Sequence, residues 1–384
     1  LAEVHGGGGI LACVEAPSPQ RIAPFCPHFS RCGGCAVQTL AAEPYAHWKR
    51  DLAVNALRGA GVKTKVLDLI DAHGEGRRRA IFHARYPRDQ ASLGFMRARS
   101  HEVIEIDSCP LLAPAMGGAL PAARAIAKAL AASKRPLDIL VTATASGLDI
   151  DIRGHGPLDA KERQKLAGAA LKHDLARLSI HGETVLMQRV PLLAMGRAQV
   201  TPPPGAFLQA TQAGENALAA FVLDHASGAS HIADLFSGIG TFALRLAEFA
   251  SAAAFDADSA ALAALDRAGR AEGLRPVSVS RRDLFKHPLG ADELERFDAA
   301  VFDPPRQGAE SQAKALASSA VPLAIAVSCN AKTFARDAAI LCAGGYEIVA
   351  VQPIDQFRHA PHVEIAACFR RTRVRPRKAR RVLG

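Results

Sequence analysis

Cys329 and Glu364 are the two residues whose types and spacing could do chemistry together. Cys329 lies in Ser328-Cys329-Asn330, directly after an apolar run over 322–327 that reads as a buried strand. Glu364 closes His362-Val363-Glu364, 35 positions later, where another apolar run begins. A thiolate is a strong nucleophile near neutral pH. Added to C6 of a pyrimidine, it makes C5 carbanion-like, so C5 can take a methyl group from a sulfonium. A base must then remove the C5 proton before the thiolate leaves. Cys329 and Glu364 fit those two roles. Most cysteines are small buried hydrophobes, but a strand-end position before polar Asn330 sets Cys329 apart.

A nucleotide-binding loop lies upstream. Asp234 to Phe242 (Asp-Leu-Phe-Ser-Gly-Ile-Gly-Thr-Phe) follows a strand over 231–236 and opens a helix expected over 239–249. Gly238 and Gly240 allow a tight turn and a close backbone approach to a ligand. Asp256 ends the next strand about 20 positions on, where an acid can hydrogen-bond a ribose diol. Asp283 and Asp303 follow the third and fourth strands, so acids line the crevice at the strand C-termini. Phe242 and Ala243 stand where a dinucleotide loop needs its third glycine, which fits S-adenosylmethionine better than a nicotinamide cofactor. Asp303-Pro304-Pro305-Arg306 is a turn of the kind found at methyl-transfer centres. Arg306 in place of an aromatic speaks against amine methylation, and the turn lacks the cysteine frequent in cytosine-5 enzymes. Asp303 can accept N3–H of a uracil, which cytosine lacks.

The elements that must position these groups come in two styles. Residues 77–112 alternate in short strand-like runs, 113–132 form an alanine-rich helix, and 137–143 with 148–152 read as a hairpin around Ser146-Gly147. An amphipathic helix is expected over 39–61, with Leu40, Tyr45, Trp48, Leu52, Ala56 and Leu57 on one face. After Thr201-Pro202-Pro203-Pro204-Gly205, strands over 231–236, 252–256, 276–281, 297–302 and 322–327 alternate with helices, which implies a parallel sheet. Residues 346–352 and 363–369 form a terminal antiparallel hairpin. The fold class is therefore α/β: a Rossmann-like domain over 201–370, preceded by an α+β domain over 26–200, with 1–25 as a linker and 371–384 as a tail.

Composition sets bounds. The chain has 384 residues, 49% hydrophobic and 22% charged, ordinary for a globular protein. No apolar run approaches the ~20 residues of a membrane span, and no charged-then-apolar leader opens the chain, so a reducing cytoplasm is expected. Eight of the basic residues lie between Arg370 and Arg381, and taking them from the net +10 leaves about +2. Such a tail either attracts a polyanion, nucleic acid first, or serves solubility. Eight cysteines in a reducing compartment are ligands, nucleophiles or buried small side chains. Cys26, Cys32 and Cys35 form a compact set around Gly33-Gly34, with Cys109 as a fourth thiolate; the spacing suits an iron–sulfur cluster or structural zinc alike. Cys13, Cys342 and Cys368 are read as buried or incidental.

Together these blocks resemble the RNA uracil-5-methyltransferase family over about 16–369. Phe207-Leu208-Gln209 with Asn216, Asp234–Phe242, Asp303–Arg306, Ser328–Asn330 and Asp355 with His362-Val363-Glu364 are similar to its motifs. The resemblance implies a class I methyltransferase domain, with Cys329 as nucleophile and Glu364 as base. Gln209, Phe236, Thr241, Asp256, Asp283 and Asp303 would then line the S-adenosylmethionine and target-base pocket. It also implies a [4Fe–4S] cluster on Cys26, Cys32, Cys35 and Cys109, which favours 23S ribosomal RNA over transfer RNA as substrate. Residues 1–25 would be a remnant of an OB-like RNA-binding domain. RNA contacts would fall to the tail and to Arg77, Arg78, Arg79, Arg97 and Arg99. The chain departs from the family at Ala331, Arg358 and Ala360. Rival readings are cytosine-5 or small-molecule methylation and a non-catalytic RNA-binding factor.

Overall fold

The computed structural model describes residues 2–5, 8–11, 14–87 and 90–371, with side chains from residue 14 onward. Most of the basic tail (372–384) and Cys13 lie outside the described residues. Two large sheets dominate. A seven-stranded sheet runs in the order Glu183–Met187, Arg177–Ile180, Gly147–Arg153, Leu137–Thr144, Arg79–Arg85, Ser92–Met96, Val103–Glu105. It is antiparallel but for the pairing of Gly147–Arg153 with Arg177–Ile180. Leu137–Thr144 alternates buried and half-buried residues along its length, as a strand with one face on a core must. Helices Ala119–Ala129 and Ala160–Lys172 cover that face through Ala123, Ile126 and Leu166.

The eight-stranded sheet runs Val277–Arg281, Ser251–Asp256, His231–Leu235, Ala299–Phe302, Leu323–Ser328, Glu364–Arg371, Tyr346–Asp355, Ile70–Asp71. The first five are parallel to one another. Glu364–Arg371 is antiparallel to both of its neighbours. All six residues of Leu323–Ser328 are buried, because helices cover both faces of this sheet.

Several expectations change. Regular helix after the glycine loop spans only Ala243–Leu246 rather than 239–249, because Gly238 and Gly240 hold positive φ and keep the preceding turn out of helical register. Residues 2–5 and 8–11, in the segment read as a linker, pair as antiparallel strands. Helix Ala42–Gly59 does not pack on the antiparallel sheet. Its Ala53 and Leu57 join Ala335, Leu341 and Ile365 in the core of the mixed sheet, and Ile70–Asp71 adds that sheet's edge strand. Arg371, read as tail, is inside at 8% exposure. It donates to the carbonyls of Gly344 (2.6 Å) and Leu316 (2.7 Å) and lies over the Tyr346 ring. Among the described residues no helix is long and apolar enough to cross a membrane.

The buried face of helix Ala42–Gly59 also differs from the one expected, because Lys49 points inward with no exposure. Its ammonium donates to Asp355 Oδ1 (2.7 Å), to the Phe357 carbonyl (2.9 Å) and to the His362 carbonyl. Three protons meet three acceptors, which is what an ammonium needs away from water. Lys49→Met leaves the Asp355 charge buried without its cation. We expect a loss of about 3–5 kcal/mol in denaturant unfolding, with part of it restored by Lys49→Met/Asp355→Asn.

Candidate active site

The glycine loop is tied down by two acids. Asp234 Oδ2 accepts the Ala243 N–H (2.8 Å), and burial pushes its carboxyl up to about 8. Its other oxygen is buried without a partner, as is Ser237 Oγ. Asp256 accepts the Gly238 N–H (2.8 Å) and the Asp258 N–H (2.8 Å), so the expected ribose acid also shapes the loop. An added Cβ at Gly240, where φ is +97°, would meet Leu265 and Leu244 within 3 Å, so only glycine fits this turn. Phe236 itself holds φ +63°, and its ring lies 5.1 Å from that of Phe285. Asp283 accepts from the Phe285 and Lys286 N–H groups (3.1 and 3.3 Å). Thr241 is half-buried, and its carbonyl accepts from Arg245 (2.7 Å).

Three neighbouring strand ends bring the remaining groups together. Asp303 follows Ala299–Phe302 and Cys329 follows Leu323–Ser328. Glu364 is the first residue of Glu364–Arg371. Because that last strand is antiparallel, it starts where the parallel strands finish, and Ser328 pairs with Ile365. Asn330 caps helix Ala331–Ala343 by accepting from Lys332 N–H (3.1 Å) and donates to the Arg306 carbonyl (2.9 Å). The cysteine turn is thereby fastened to the Asp303–Arg306 turn.

A chain of amides links the two acids. Gln209 Nε2 donates to Asp303 Oδ2 (2.9 Å). Gln356 Nε2 donates to Gln209 Oε1 (2.6 Å) and to Glu364 Oε1 (3.0 Å). Glu364 Oε2 is buried with no partner. Burial pushes Asp303 up to about 7 against the Gln209 bond. Burial, then the Asp303 charge, push Glu364 up to about 8, with Gln356 and Arg306 opposing. Burial, then Glu364 and Asp303, push the Cys329 thiol up to about 11, with Arg306 opposing. The arrangement holds a protonated thiol beside carboxyls basic enough to take protons near neutral pH.

Gln356 is fully buried and was not singled out in the sequence, where a glutamine between Asp355 and Phe357 carries no periodic signal. Its loop is also held from outside. Tyr45 donates to Asp355 Oδ2 (2.6 Å), the His359 N–H donates to Tyr45 (2.8 Å), and the His359 carbonyl accepts from Ala36 and Val37 (2.8 and 3.0 Å). Residues beside the cysteine cluster therefore dock on the loop that leads to Glu364.

Cys26, Cys32, Cys35 and Cys109 line one cavity of about 370 Å³, with Phe29, Phe95 and Arg77. Gly33 is required there: an added Cβ would sit 2.7 Å from the Met96 carbonyl oxygen. Burial pushes Cys35 up to about 11, and burial also raises Cys32 and Cys109. Among the described residues no three His, Cys, Asp or Glu side chains are grouped so that they hold a single metal ion; the thiols stand around a space. Arg78, read as an RNA contact, is buried against Glu215 and Gln212. Glu215 also takes Arg245 (2.6 Å), so Arg78 serves a buried ion network between the two sheets. Arg97 pairs with Glu102 (2.8 Å). Arg79 lies over the ring of Phe207, which is 71% exposed beside Gln209.

No family model matches the chain. An uncharacterized RNA methyltransferase of Brucella suis biovar 1 is 47% identical over 95% of this chain and 88% of its own length. Another, of Agrobacterium fabrum, is 44% identical over 96% of this chain and 90% of its own. A 23S rRNA (uracil(1939)-C(5))-methyltransferase of Pectobacterium atrosepticum is 29% identical over 92% of this chain and 81% of its own. The solved structure of the Pyrococcus abyssi tRNA (uracil-54, C5)-methyltransferase, in complex with S-adenosyl-L-homocysteine, superposes with a TM-score of 0.72 at 19% identity. It covers 96% of this chain and 91% of its own. The shared architecture is the class I methyltransferase sheet, with its terminal antiparallel strands, preceded by a β-rich region.

With its pKa raised, Cys329 should react with iodoacetamide at a rate that climbs roughly tenfold per pH unit between pH 7 and 9, read by mass spectrometry. Glu364→Gln, which removes one repelling carboxylate, should raise the rate at pH 8. A plateau below pH 9 would contradict the assigned electrostatics.

Proposed function

This chain belongs to the RNA methyltransferase family of those relatives, and from that membership we propose that it methylates C5 of uracil in RNA, large-subunit ribosomal RNA first. The observation that carries the reading is the meeting of Cys329, Asp303 and Glu364 at three adjacent strand ends. S-adenosylmethionine, when bound at the Asp234–Thr241 loop, supplies an electrophilic methyl group. Gln209, Phe236, Thr241, Asp256, Asp283 and Asp303 are the residues we assign to that pocket and to the target base.

Cys329 gives its proton to a neighbouring carboxylate or to water and bonds through Sγ to C6 of the uracil. The C5=C6 π pair moves to C5 and would bond to the methyl group as the methyl–sulfur bond breaks, its electron pair staying on sulfur to leave a neutral thioether. Glu364 then takes the C5 proton, the C–H pair re-forms C5=C6, and the C6–S bond breaks to release the thiolate. Asp303, held by Gln209, accepts the N3–H and so selects uracil over cytosine. The base must leave its stack to reach Cys329, and the exposed Phe207 with Arg79 offers an aromatic and cationic surface beside the pocket.

The four cysteines suit a [4Fe–4S] cluster: four sulfur donors line a half-open, largely apolar cavity, and the Arg77 guanidinium on the same cavity would offset the charge of an anionic group there. Cys26, Cys32, Cys35 and Cys109 would hold it, and it would crosslink the 26–35 segment to the antiparallel sheet. We read 26–200 as the RNA-facing part and 201–370 as the methyltransferase part, with 42–71 built into the latter's sheet.

Unmodified ribosomal and transfer RNA incubated with labelled S-adenosylmethionine should give label in 5-methyluridine after digestion. Label in 5-methylcytidine, or none, rejects the reading. Cys329→Ala should abolish turnover, and Glu364→Gln should accumulate a covalent RNA–protein adduct on denaturing gels. Anaerobically purified protein should carry iron and sulfide with a brown colour that Cys109→Ser loses; a colourless, iron-free preparation rejects the cluster.

A further inference from the structure

The amide chain between the two acids has a direction, and one backbone group sets it. Gln356 Oε1 receives the Ala210 N–H (2.7 Å), with the Thr211 N–H at 3.4 Å. A backbone N–H can only donate, so this end of the Gln356 side chain must be its oxygen. Its NH2 group is then forced toward Glu364 Oε1 and Gln209 Oε1. Gln209, having accepted on its oxygen, must present its own NH2 group to Asp303. Gln356 has no freedom to swing away, because it is fully buried and Gly214 packs against it: an added Cβ there would sit 2.6 Å from Gln356 Cβ.

We propose that Gln356, oriented by the Ala210 N–H, is a positioning residue that occupies Glu364 Oε1 and so leaves Oε2 as the atom that receives the substrate's C5 proton. This rests on the uracil-C5 reading of the site and deepens it. Glu364 has two oxygens and one task. The oxygen that accepts from an amide N–H is the poorer proton acceptor, since protonation there would set two donors against each other. The other oxygen has no donor near it and is buried, so its lone pairs are unspent. The same N–H bond favours the ionised carboxylate, the form a base needs. The charged or titratable groups that face Glu364 are Asp303 and Arg306 on one turn and Cys329 on the other. None of them supplies a hydrogen bond to it, which leaves Gln356 as its donor. In the step concerned the C5–H bond breaks, its proton passes to Oε2, its electron pair re-forms C5=C6, and the C6–Sγ pair returns to Cys329.

The test follows the covalent adduct between the full-length protein and RNA carrying the target uracil. After rapid quenching, adduct formation and clearance are read separately across pH. Gln356→Met, similar in volume and without the donor, should slow clearance by a larger factor than adduct formation, which feels the change only through the Gln209–Asp303 arm of the amide chain. The pH at which clearance reaches half its maximum should rise by on the order of one unit. Gln356→Glu keeps the shape but opposes Glu364 with a like charge, and should shift the limb further in the same direction; it serves as the readout if the methionine variant does not fold. Clearance slowed equally at every pH, or unchanged, overturns the role of Gln356 and leaves the uracil reading standing. No adduct and no 5-methyluridine from the parent protein overturns both.

Discussion

Asp355 is a carboxylate that the fold takes almost wholly out of water, and most of the site's geometry follows from how its charge is met. The partner is Lys49, more than 300 residues earlier, together with the Tyr45 hydroxyl. A buried ion pair gives little net stability when desolvation is counted. Its worth here is specificity of placement. Lys49 has three protons, and two of them go to backbone carbonyls of the 357–362 loop. The loop that precedes Glu364 is thus pinned at both ends by one side chain from a helix that the mixed sheet has already buried. The cysteine segment then docks on the same loop through His359.

The second theme is how a crevice with Asp234, Asp303, Glu364 and a thiol avoids filling with fixed cations. Burial raises the proton affinity of every one of these groups. The fold answers with neutral donors, namely backbone N–H groups and the two glutamines, while Arg306 is the guanidinium among the described residues that lowers both Cys329 and Glu364. Neutral donors stabilise charge in place without neutralising it, so the acids keep a capacity to exchange protons near neutral pH. A lysine in the position of Gln356 would hold Glu364 more firmly and make it a weaker base.

The groups proposed to react were legible in the sequence because each sits where a strong local pattern ends. Cys329, Asp303 and Asp256 follow apolar runs that only a sheet covered on both faces explains, and Glu364 opens another. The alternation over 137–144 showed the hairpin of the other sheet for the same reason. What stayed hidden are pairs joined across long stretches of chain. Lys49 sits in an amphipathic helix and looks solvent-facing until Asp355 is brought to it. Gln209 is named through its resemblance to a family motif, but Gln356, the residue that orients it, is an ordinary polar side chain whose meaning lies in that contact. Arg78 belongs to a run of three arginines that looks like a nucleic-acid contact, yet Glu215 claims it for the interior. Charge runs in a sequence do not say which members face water.

The strand order has a bearing on how such a protein is made. Glu364–Arg371 comes last among the described elements, yet it lies inside the sheet, paired on both sides to strands synthesised before it. Until it inserts, Leu323–Ser328 and Tyr346–Asp355 each show a row of unpaired peptide groups, and the sheet cannot close. On the uracil-C5 reading proposed above, a translation product that stops short of this strand carries the sulfur but not the carboxylate. It also lacks the one strand that joins Leu323–Ser328 to Tyr346–Asp355, so the deletion that parts the two side chains also parts the sheet that would display them.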